Sequence, residues 1–117
     1  MSALQLNQFI GTEKYTRWSA LSNSVLTDGA LYVADTAGAY WLFDSIQAHL
    51  DDNQADWATT TMVVHDDNSA TVTMTNGNDE PLTEWKVSFT DFPEPELRIW
   101  SVRNELNAHT HMLPSEY

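Results

Sequence analysis

The chain contains no cysteine. That absence excludes disulfide bridges, a thiolate nucleophile and metal sites built from cysteine ligands. Basic residues are almost as scarce, because five Lys and Arg stand against 17 Asp and Glu and leave a net charge of −12. Proteins that bind nucleic acid or anionic membranes do so with clustered Lys and Arg. The sequence therefore predicts no direct nucleic-acid partner and no membrane partner.

Long apolar runs are also missing from the chain. No stretch approaches the ~20 apolar residues that a membrane-spanning helix needs. Residues 1–7 lack the basic start and apolar run that are typical of a secretory signal peptide. No internal repeat, linker or low-complexity segment interrupts the sequence, and 117 residues is close to the commonest domain size. We therefore expect a cytoplasmic protein in which residues 1–117 form one domain.

Apolar and acidic residues are what the chain has in quantity. Hydrophobic residues make up 42%, among them five Trp, four Tyr and four Phe, which is enough to bury a core without disulfides. The acidic residues are spread along the chain, and their longest runs are pairs such as Asp51-Asp52 and Asp66-Asp67. Three interpretations remain open: a charge for solubility, an adaptation to salt, or a surface for a basic partner.

Apolar spacing in the first half of the chain predicts helices. Ser2 can cap a short helix over Ala3–Ile10, and Thr27-Asp28 offers a cap for a second helix over Ala30–Thr36. The strongest pattern covers residues 39–50, where apolar residues recur at spacings of three and four and therefore share one helix face. Those residues are Ala39, Leu42, Phe43, Ile46 and Leu50.

The second half changes to the period of two that is typical of strands. The predicted strands cover residues 57–65, 70–76, 84–89 and 97–102, followed by an edge strand over 109–113. Short connections between consecutive strands imply antiparallel neighbours. We therefore predict an α+β fold, in which two or three N-terminal helices pack on one face of a four- to five-stranded antiparallel meander.

One pair of histidines has a spacing found in metal sites. His109 and His111 stand two residues apart on a predicted strand, which places both imidazoles on one face. A metal would need a third ligand, such as His65 or Glu116, brought close by the fold. A pair of exposed histidines on an edge strand is the commoner explanation. We therefore predict no metal site and no cofactor.

The sequence carries no recognisable catalytic motif. It has neither the Gly-x-Ser-x-Gly turn of a serine hydrolase nor a phosphate-binding Gly-x-Gly-x-x-Gly. With 17 carboxylates, close acid pairs arise by chance and do not indicate a glycosidase. We therefore predict that the protein is not an enzyme and has no catalytic residues.

Aromatic residues are the stronger functional indication, because exposed Trp and Tyr are the usual anchors of protein interfaces. If Leu97 and Ile99 face the core, Trp100 lies on the other face of its strand or covers a groove. The alternative is that the five Trp residues fill the core. A second apolar face on the helix or the sheet would favour a homodimer. The residues predicted to bind a partner or ligand are Tyr40, Trp41, Asp44, Trp85, Asp91 and Trp100.

Five short segments stand out together and run from one end of the chain to the other. They are Leu6-Asn7-Gln8-Phe9-x-Gly11-Thr12-Glu13, Leu26-Thr27-Asp28-Gly29, Ala37-Gly38-Ala39-Tyr40-Trp41-Leu42-Phe43-Asp44, Phe89-Thr90-Asp91-Phe92-Pro93 and Leu113-Pro114-Ser115-Glu116-Tyr117. In this combination the chain resembles a family of small bacterial proteins, often called plasmid-related proteins and classed as a domain of unknown function. The resemblance implies an accessory role on plasmids, phages or other mobile elements, and it implies no catalytic residues.

The leading functional hypothesis is a non-enzymatic module that binds another protein through an acidic, Trp-containing surface. In its sharpest form the protein mimics nucleic acid, since duplex DNA carries one charge per ~1.7 Å of axis and a row of carboxylates resembles it. The alternative is a small-ligand-binding protein or weak enzyme, with a site between the helix over 39–50 and the sheet that uses Tyr40, Asp44, Trp85 or Trp100. The mimic requires these carboxylates to share one surface: Asp51, Asp52, Asp56, Asp66, Asp67, Glu84 and Glu96.

Overall fold

The computed structural model describes residues 14–18 and 23–116. Within these ranges the chain forms seven strands, two α-helices and a short 3₁₀ helix. The helices are α1 (Asp28–Thr36) and α2 (Tyr40–Asn53), and the 3₁₀ helix is Pro114–Glu116. The strands are β1 (Thr16–Arg17), β2 (Val25–Leu26), β3 (Trp57–Val64), β4 (Ala70–Thr75), β5 (Pro81–Val87), β6 (Glu96–Arg103) and β7 (His109–Met112).

Local chemistry marks the start of α1 and the end of α2. The Thr27 side chain accepts a hydrogen bond of 3.3 Å from the Ala30 N–H, so the predicted N-cap of α1 is confirmed. Helix α2 ends because Gln54 adopts a left-handed conformation with φ 51°. Neither described helix is both long and apolar enough to cross a lipid bilayer. The helix predicted over 3–10 lies outside the described residues.

The sheet departs from the predicted meander. Its strand order is β1-β2-β7-β6-β3-β4-β5, with β2 and β7 parallel and the other neighbours antiparallel. The prediction of a four- to five-stranded antiparallel meander behind N-terminal helices is therefore wrong. Strands β1 and β2 precede the helices and span two residues each, which is too short for any periodicity.

The main topological difference concerns β6, which pairs with β3 and not with β5. The connection over residues 88–95 turns back across the end of the β3–β4 hairpin. It is held there by backbone hydrogen bonds from Thr90 N–H to the Asn68 carbonyl (2.7 Å) and from Val64 N–H to the Pro95 carbonyl (2.8 Å). Strand β6 thereby lies in the middle of the sheet, where its alternate apolar residues reach the core.

The core lies between the two helices and one face of the sheet, which we call the inner face. Each fully buried Val, Leu, Ile, Phe or Met side chain contributes roughly 1.5–3 kcal/mol to stability. The opposite face, which we call the outer face, carries the alternate residues of the same strands, and these remain partly exposed. Core residues include Val33, Leu42, Phe43, Ile46 and Leu50 from the helices and Ala58, Met62, Val72, Met74, Leu97 and Ile99 from the inner face.

Candidate functional site

A cleft opens on the outer face where β2, β7 and β6 lie side by side. It has a volume of about 640 Å³. Its floor is a row of residues in direct register, Val25 beside Thr110 beside Val102, with Met112 next to them. Because the floor alternates with buried inner-face residues, the cleft belongs to the side of the sheet opposite α1 and α2.

Two large apolar side chains stand at the rim of this cleft. Tyr15 is 59% exposed and Leu106 is 64% exposed, and both line the cavity. The rings of Trp57 and Trp100 continue the apolar surface on the outer face beside Val102, with centroids 5.4 Å apart. Contiguous exposed apolar groups with a concave centre are typical of binding surfaces.

Arg103 fixes the wall of the cleft. Its guanidinium bonds Asp56 at 2.5 Å, the Ala55 carbonyl at 3.1 Å and the Asn107 side-chain oxygen at 3.3 Å. These bonds tie the turn between β6 and β7 to the connection between α2 and β3. The arginine side chain is only 28% exposed. It therefore holds these two segments together and presents little charge to solvent.

The carboxylates named for the nucleic-acid mimic belong to several elements of the fold. Asp51 and Asp52 lie at the end of α2, whereas Asp66 and Asp67 lie beyond the far end of β3. Strand β3 has eight residues, each of which advances the chain by about 3.3 Å. The far end of β3 therefore lies about 26 Å from Asp56, which precedes the strand. Glu84 and Glu96 project from the outer face, beside Lys86 and Arg98. These seven carboxylates therefore lie near both ends of β3 and on the outer face, and the mimic stays a prediction.

Of the residues predicted to bind a partner, three lie together at the start of α2. The Tyr40 hydroxyl donates a hydrogen bond to Asp35 near the end of α1, and this bond raises the pKa of Tyr40. Trp41 is half-buried against the core. The Asp44 carboxylate accepts a hydrogen bond of 2.8 Å from the Trp18 indole N–H. All three therefore take part in packing the start of α2 against its neighbours.

The other three predicted residues lie apart from α2's first turn and from one another. Trp85 on β5 stacks on His49 of α2, with centroids 3.9 Å apart. Trp100 lies on the outer face, as predicted from the alternation of β6. Asp91 is exposed in the connection between β5 and β6. The site predicted between the main helix and the sheet is therefore not assembled by these side chains.

Sequence reasoning missed most of the cleft. The alternation of β6 and β7 already places Val102 and Met112 opposite the core residues, and that signal was available. Tyr15 and Val25 belong to segments too short to show a period. The cleft exists because strands distant in sequence pair beside each other, so no local pattern reveals it.

His109 and His111 form a buried polar network on the inner face of the sheet. Gln47 of α2 lies between them: its amide nitrogen donates to His109 Nδ1 at 3.0 Å, and its oxygen accepts from His111 Nε2 at 2.9 Å. His109 Nε2 donates to the Ala55 carbonyl at 2.7 Å. Ser101 Oγ donates to His111 Nδ1 at 2.7 Å. Every ring nitrogen thus has a partner when both imidazoles are neutral.

The interpretation of this pair as exposed edge-strand histidines is wrong. Strand β7 lies between β2 and β6, so it is an inner strand of the described sheet. Both histidines are buried, and the ring of His111 packs against Trp18 and Phe43 at centroid distances of 5.4 Å and 5.9 Å. The described residues contain no group of three or more side chains that could hold a metal ion. The pair therefore joins α2 to the sheet through hydrogen bonds.

Lowering the pH is expected to destabilise the protein through His111. Burial, and to a lesser extent the nearby His109, lowers the pKa of His111 to about 3 from its ordinary 6.5. As the pH falls, His111 therefore takes up a proton in the unfolded chain at a higher pH than in the folded protein. Stability from the neutral ring is fully present above pH 6.5 and is lost at about 1.4 kcal/mol per pH unit between 6.5 and about 3.

Urea unfolding at a series of pH values measures this effect. His111→Gln keeps a hydrogen-bonding side chain but cannot titrate, so its unfolding free energy is expected to fall less steeply with acid than that of the natural chain. Both proteins share the same carboxylates, and these cancel in the comparison. Equal slopes for the two proteins would contradict the prediction.

A second polar cluster holds the end of the chain to the start of α1. The Glu116 carboxylate accepts hydrogen bonds from the Gly29 N–H at 2.9 Å, the Thr27 hydroxyl at 2.6 Å and the Leu113 N–H at 3.0 Å. A carboxylate at a helix N-terminus is favoured by the unpaired N–H groups and the helix dipole. Two of the five segments that carry the family resemblance, Leu26–Gly29 and Leu113–Tyr117, therefore meet in the fold through their described residues.

Comparison with known proteins gives a family but no characterised relative. No curated protein matches the chain, and no solved structure matches it. A family model described as a family of unknown function (DUF6876) matches residues 2–117. Because that match covers nearly the whole sequence, the chain belongs to the DUF6876 family of unknown function.

Proposed function

We propose that the protein is a non-enzymatic interaction module that binds a segment of a partner protein in the cleft on the outer face. The observation that carries this proposal is the cleft of about 640 Å³ with Tyr15 and Leu106 exposed at its rim. Aromatic and aliphatic anchors that fill a pocket supply most of the binding energy in protein interfaces. A partner segment that inserts apolar side chains beside Val102 and Met112 would make such contacts.

The charge of the chain bears on which partners can approach. The outer-face strands carry Lys86 and Arg98 as well as Glu84 and Glu96, so this face is less acidic than the chain as a whole. Among the residues that line the cleft only Glu105 is acidic, so a partner can dock there without facing a row of carboxylates. The net charge of −12 favours partners with a basic surface around the bound segment, because long-range attraction raises the rate of association.

An accessory role on a mobile element belongs to the same proposal. It is supported by the motif resemblance alone, namely the order and the amino-acid sequences of the five segments from Leu6 to Tyr117. A module that recruits or blocks a host protein by binding one of its segments is compatible with that setting.

A small-molecule ligand is the second candidate for the same cleft. Its volume falls within the roughly 300–1,000 Å³ of small-ligand sites. Its lining combines apolar residues with the polar Asn23, Asn104 and Thr110 and the charged Arg103 and Glu105. A ligand in this cleft would bind on the outer face, and not between the helix over 39–50 and the sheet, where the sequence predicted the site.

Leu106→Glu is expected to weaken peptide binding by about tenfold or more, because it places a charge at the apolar rim. The probe is a random peptide library selected on the natural protein, with the affinity of the selected peptides measured by calorimetry. Ala48→Glu is the matched control: it makes the same change of charge at an exposed position of α2, on the other side of the molecule.

Three results separate the candidates. Peptides that bind the natural protein and Ala48→Glu but not Leu106→Glu support the interaction module. Failure to select any peptide, together with a fragment library that shifts the amide signals of Val102 and Met112, favours the small ligand. Selected peptides that bind all three proteins equally would show that the cleft is not the binding site.

A further inference from the structure

Strand β5 forms one edge of the described sheet. Six of its seven residues pair with β4 on one side, and no described strand pairs with its other side. Such an edge offers a row of backbone N–H and C=O groups to another strand. A bulge at Leu82 and the proline Pro81 limit pairing at the start of β5, whereas its register with β4 is regular from Thr83 to Val87.

The charges on β5 are arranged so that the strand complements itself. Glu84 and Lys86 both project from the outer face, because they pair with the outer-face residues Thr73 and Thr71. Trp85 lies between them and projects from the inner face. Neither Glu84 nor Lys86 belongs to an ion pair within the part of the chain that the structure describes. An antiparallel copy of this strand therefore presents the opposite charge to each.

We propose that β5 pairs antiparallel with β5 of a second copy of the chain, about a two-fold axis at Trp85. Glu84 then lies opposite Lys86 of the second copy, and Lys86 opposite its Glu84. Two sheets of seven described strands become one continuous sheet. Symmetric dimers of this kind repeat each contact twice, so every favourable pair counts double.

The neighbouring registers are less favourable. Side chains alternate between the two faces of a strand. Each face of one sheet therefore continues into the same face of the other only if the register shifts by an even number of residues. A two-fold axis at Glu84 places this carboxylate opposite itself, and an axis at Lys86 does the same with the ammonium group. Like charges directly opposite each other destabilise a strand pair, whereas opposite charges stabilise it. Charge alone therefore selects the axis at Trp85.

The proposed pairing uses an edge of the sheet away from the cleft, so it does not depend on the proposed function.

Sedimentation equilibrium of the full chain tests the pairing. The natural protein is expected to show twice the chain mass of 13.2 kDa. Lys86→Glu and Glu84→Lys each create two like-charge pairs by symmetry, so each is expected to raise the dimer dissociation constant about tenfold or more. The double variant with both changes restores opposite charges and is expected to dimerise like the natural protein.

Arg98→Glu is the matched control for Lys86→Glu. It makes the same change of net charge on the same outer face, but in β6, away from the edge. It is expected to leave the dimer intact. Amide hydrogen exchange adds a direct readout, since protection within 81–87 is expected to increase with protein concentration.

Several outcomes would overturn the inference. A natural chain that sediments as a monomer at all concentrations, with no concentration-dependent protection in β5, excludes the pairing. A dimer that survives Lys86→Glu places the interface elsewhere. Failure of the double variant to recover, while its circular dichroism and urea midpoint match the natural protein, refutes the register.

Discussion

Gly29→Ala is expected to lower the free energy of unfolding by about 3 kcal/mol. A Cβ at this position would lie 2.5 Å from Glu116 Oε1 and 2.7 Å from Leu113 Cδ1, both closer than atoms can approach. The carboxylate must therefore move away, and it then loses its hydrogen bonds to the Gly29 N–H and the Thr27 hydroxyl. Equilibrium unfolding in urea, followed by tryptophan fluorescence, measures the loss.

A double-mutant cycle with Glu116→Ala separates this mechanism from a general effect of alanine. Once the carboxylate is absent, the added methyl group no longer meets Glu116, and alanine favours a helix over glycine by about 1 kcal/mol. Gly29→Ala is therefore expected to cost much less in the Glu116→Ala background. Additive losses in the two backgrounds would show that Glu116 is not displaced.

Gln47→Leu is expected to destabilise the protein by roughly 3 kcal/mol or more. The substitution keeps an apolar stem of similar size but removes the amide that bonds both buried histidines. His109 Nδ1 and His111 Nε2 are then left without their partner inside the core, where an unpaired polar atom carries its full desolvation cost. The change is measured as the shift of the urea midpoint at neutral pH.

Asp51→Ala is the matched control for Gln47→Leu. The Asp51 carboxylate also accepts a hydrogen bond from the Gln47 amide, at 3.0 Å, but this bond is exposed to solvent. Its removal is expected to change stability by about 0.5 kcal/mol or less. If the two variants were equally stable, the buried network would contribute little, and α2 would be held to the sheet by apolar packing alone.

These two clusters explain why segments far apart in sequence matter together. Thr27 and Gly29 begin α1, and Glu116 comes from the last described turn, yet the three groups form one hydrogen-bonded cluster. Gln47 lies in the middle of α2 and reaches two histidines more than 60 residues away. In both clusters a polar side chain links a helix to the end of the sheet that contains β7.

The sequence alone determined the two described helices and the longer strands β3, β4 and β6. The apolar spacing of residues 39–50 predicted α2, the alternation of residues 97–102 predicted which side of β6 is buried, and Thr27 marked the start of α1. Each of these depends on residues within a few positions of one another, where helix and strand periods and capping chemistry act.

Only the tertiary structure decided the strand order, the burial of His109 and His111, and the position of the cleft. The pairing of β6 with β3 and of β7 with β2 joins segments that share no local pattern. The local sequence pattern around a histidine is the same whether its strand lies at an edge or in the middle of a sheet. The neighbours that bury or expose a residue are set by non-local pairing, and periodicity carries no information about it.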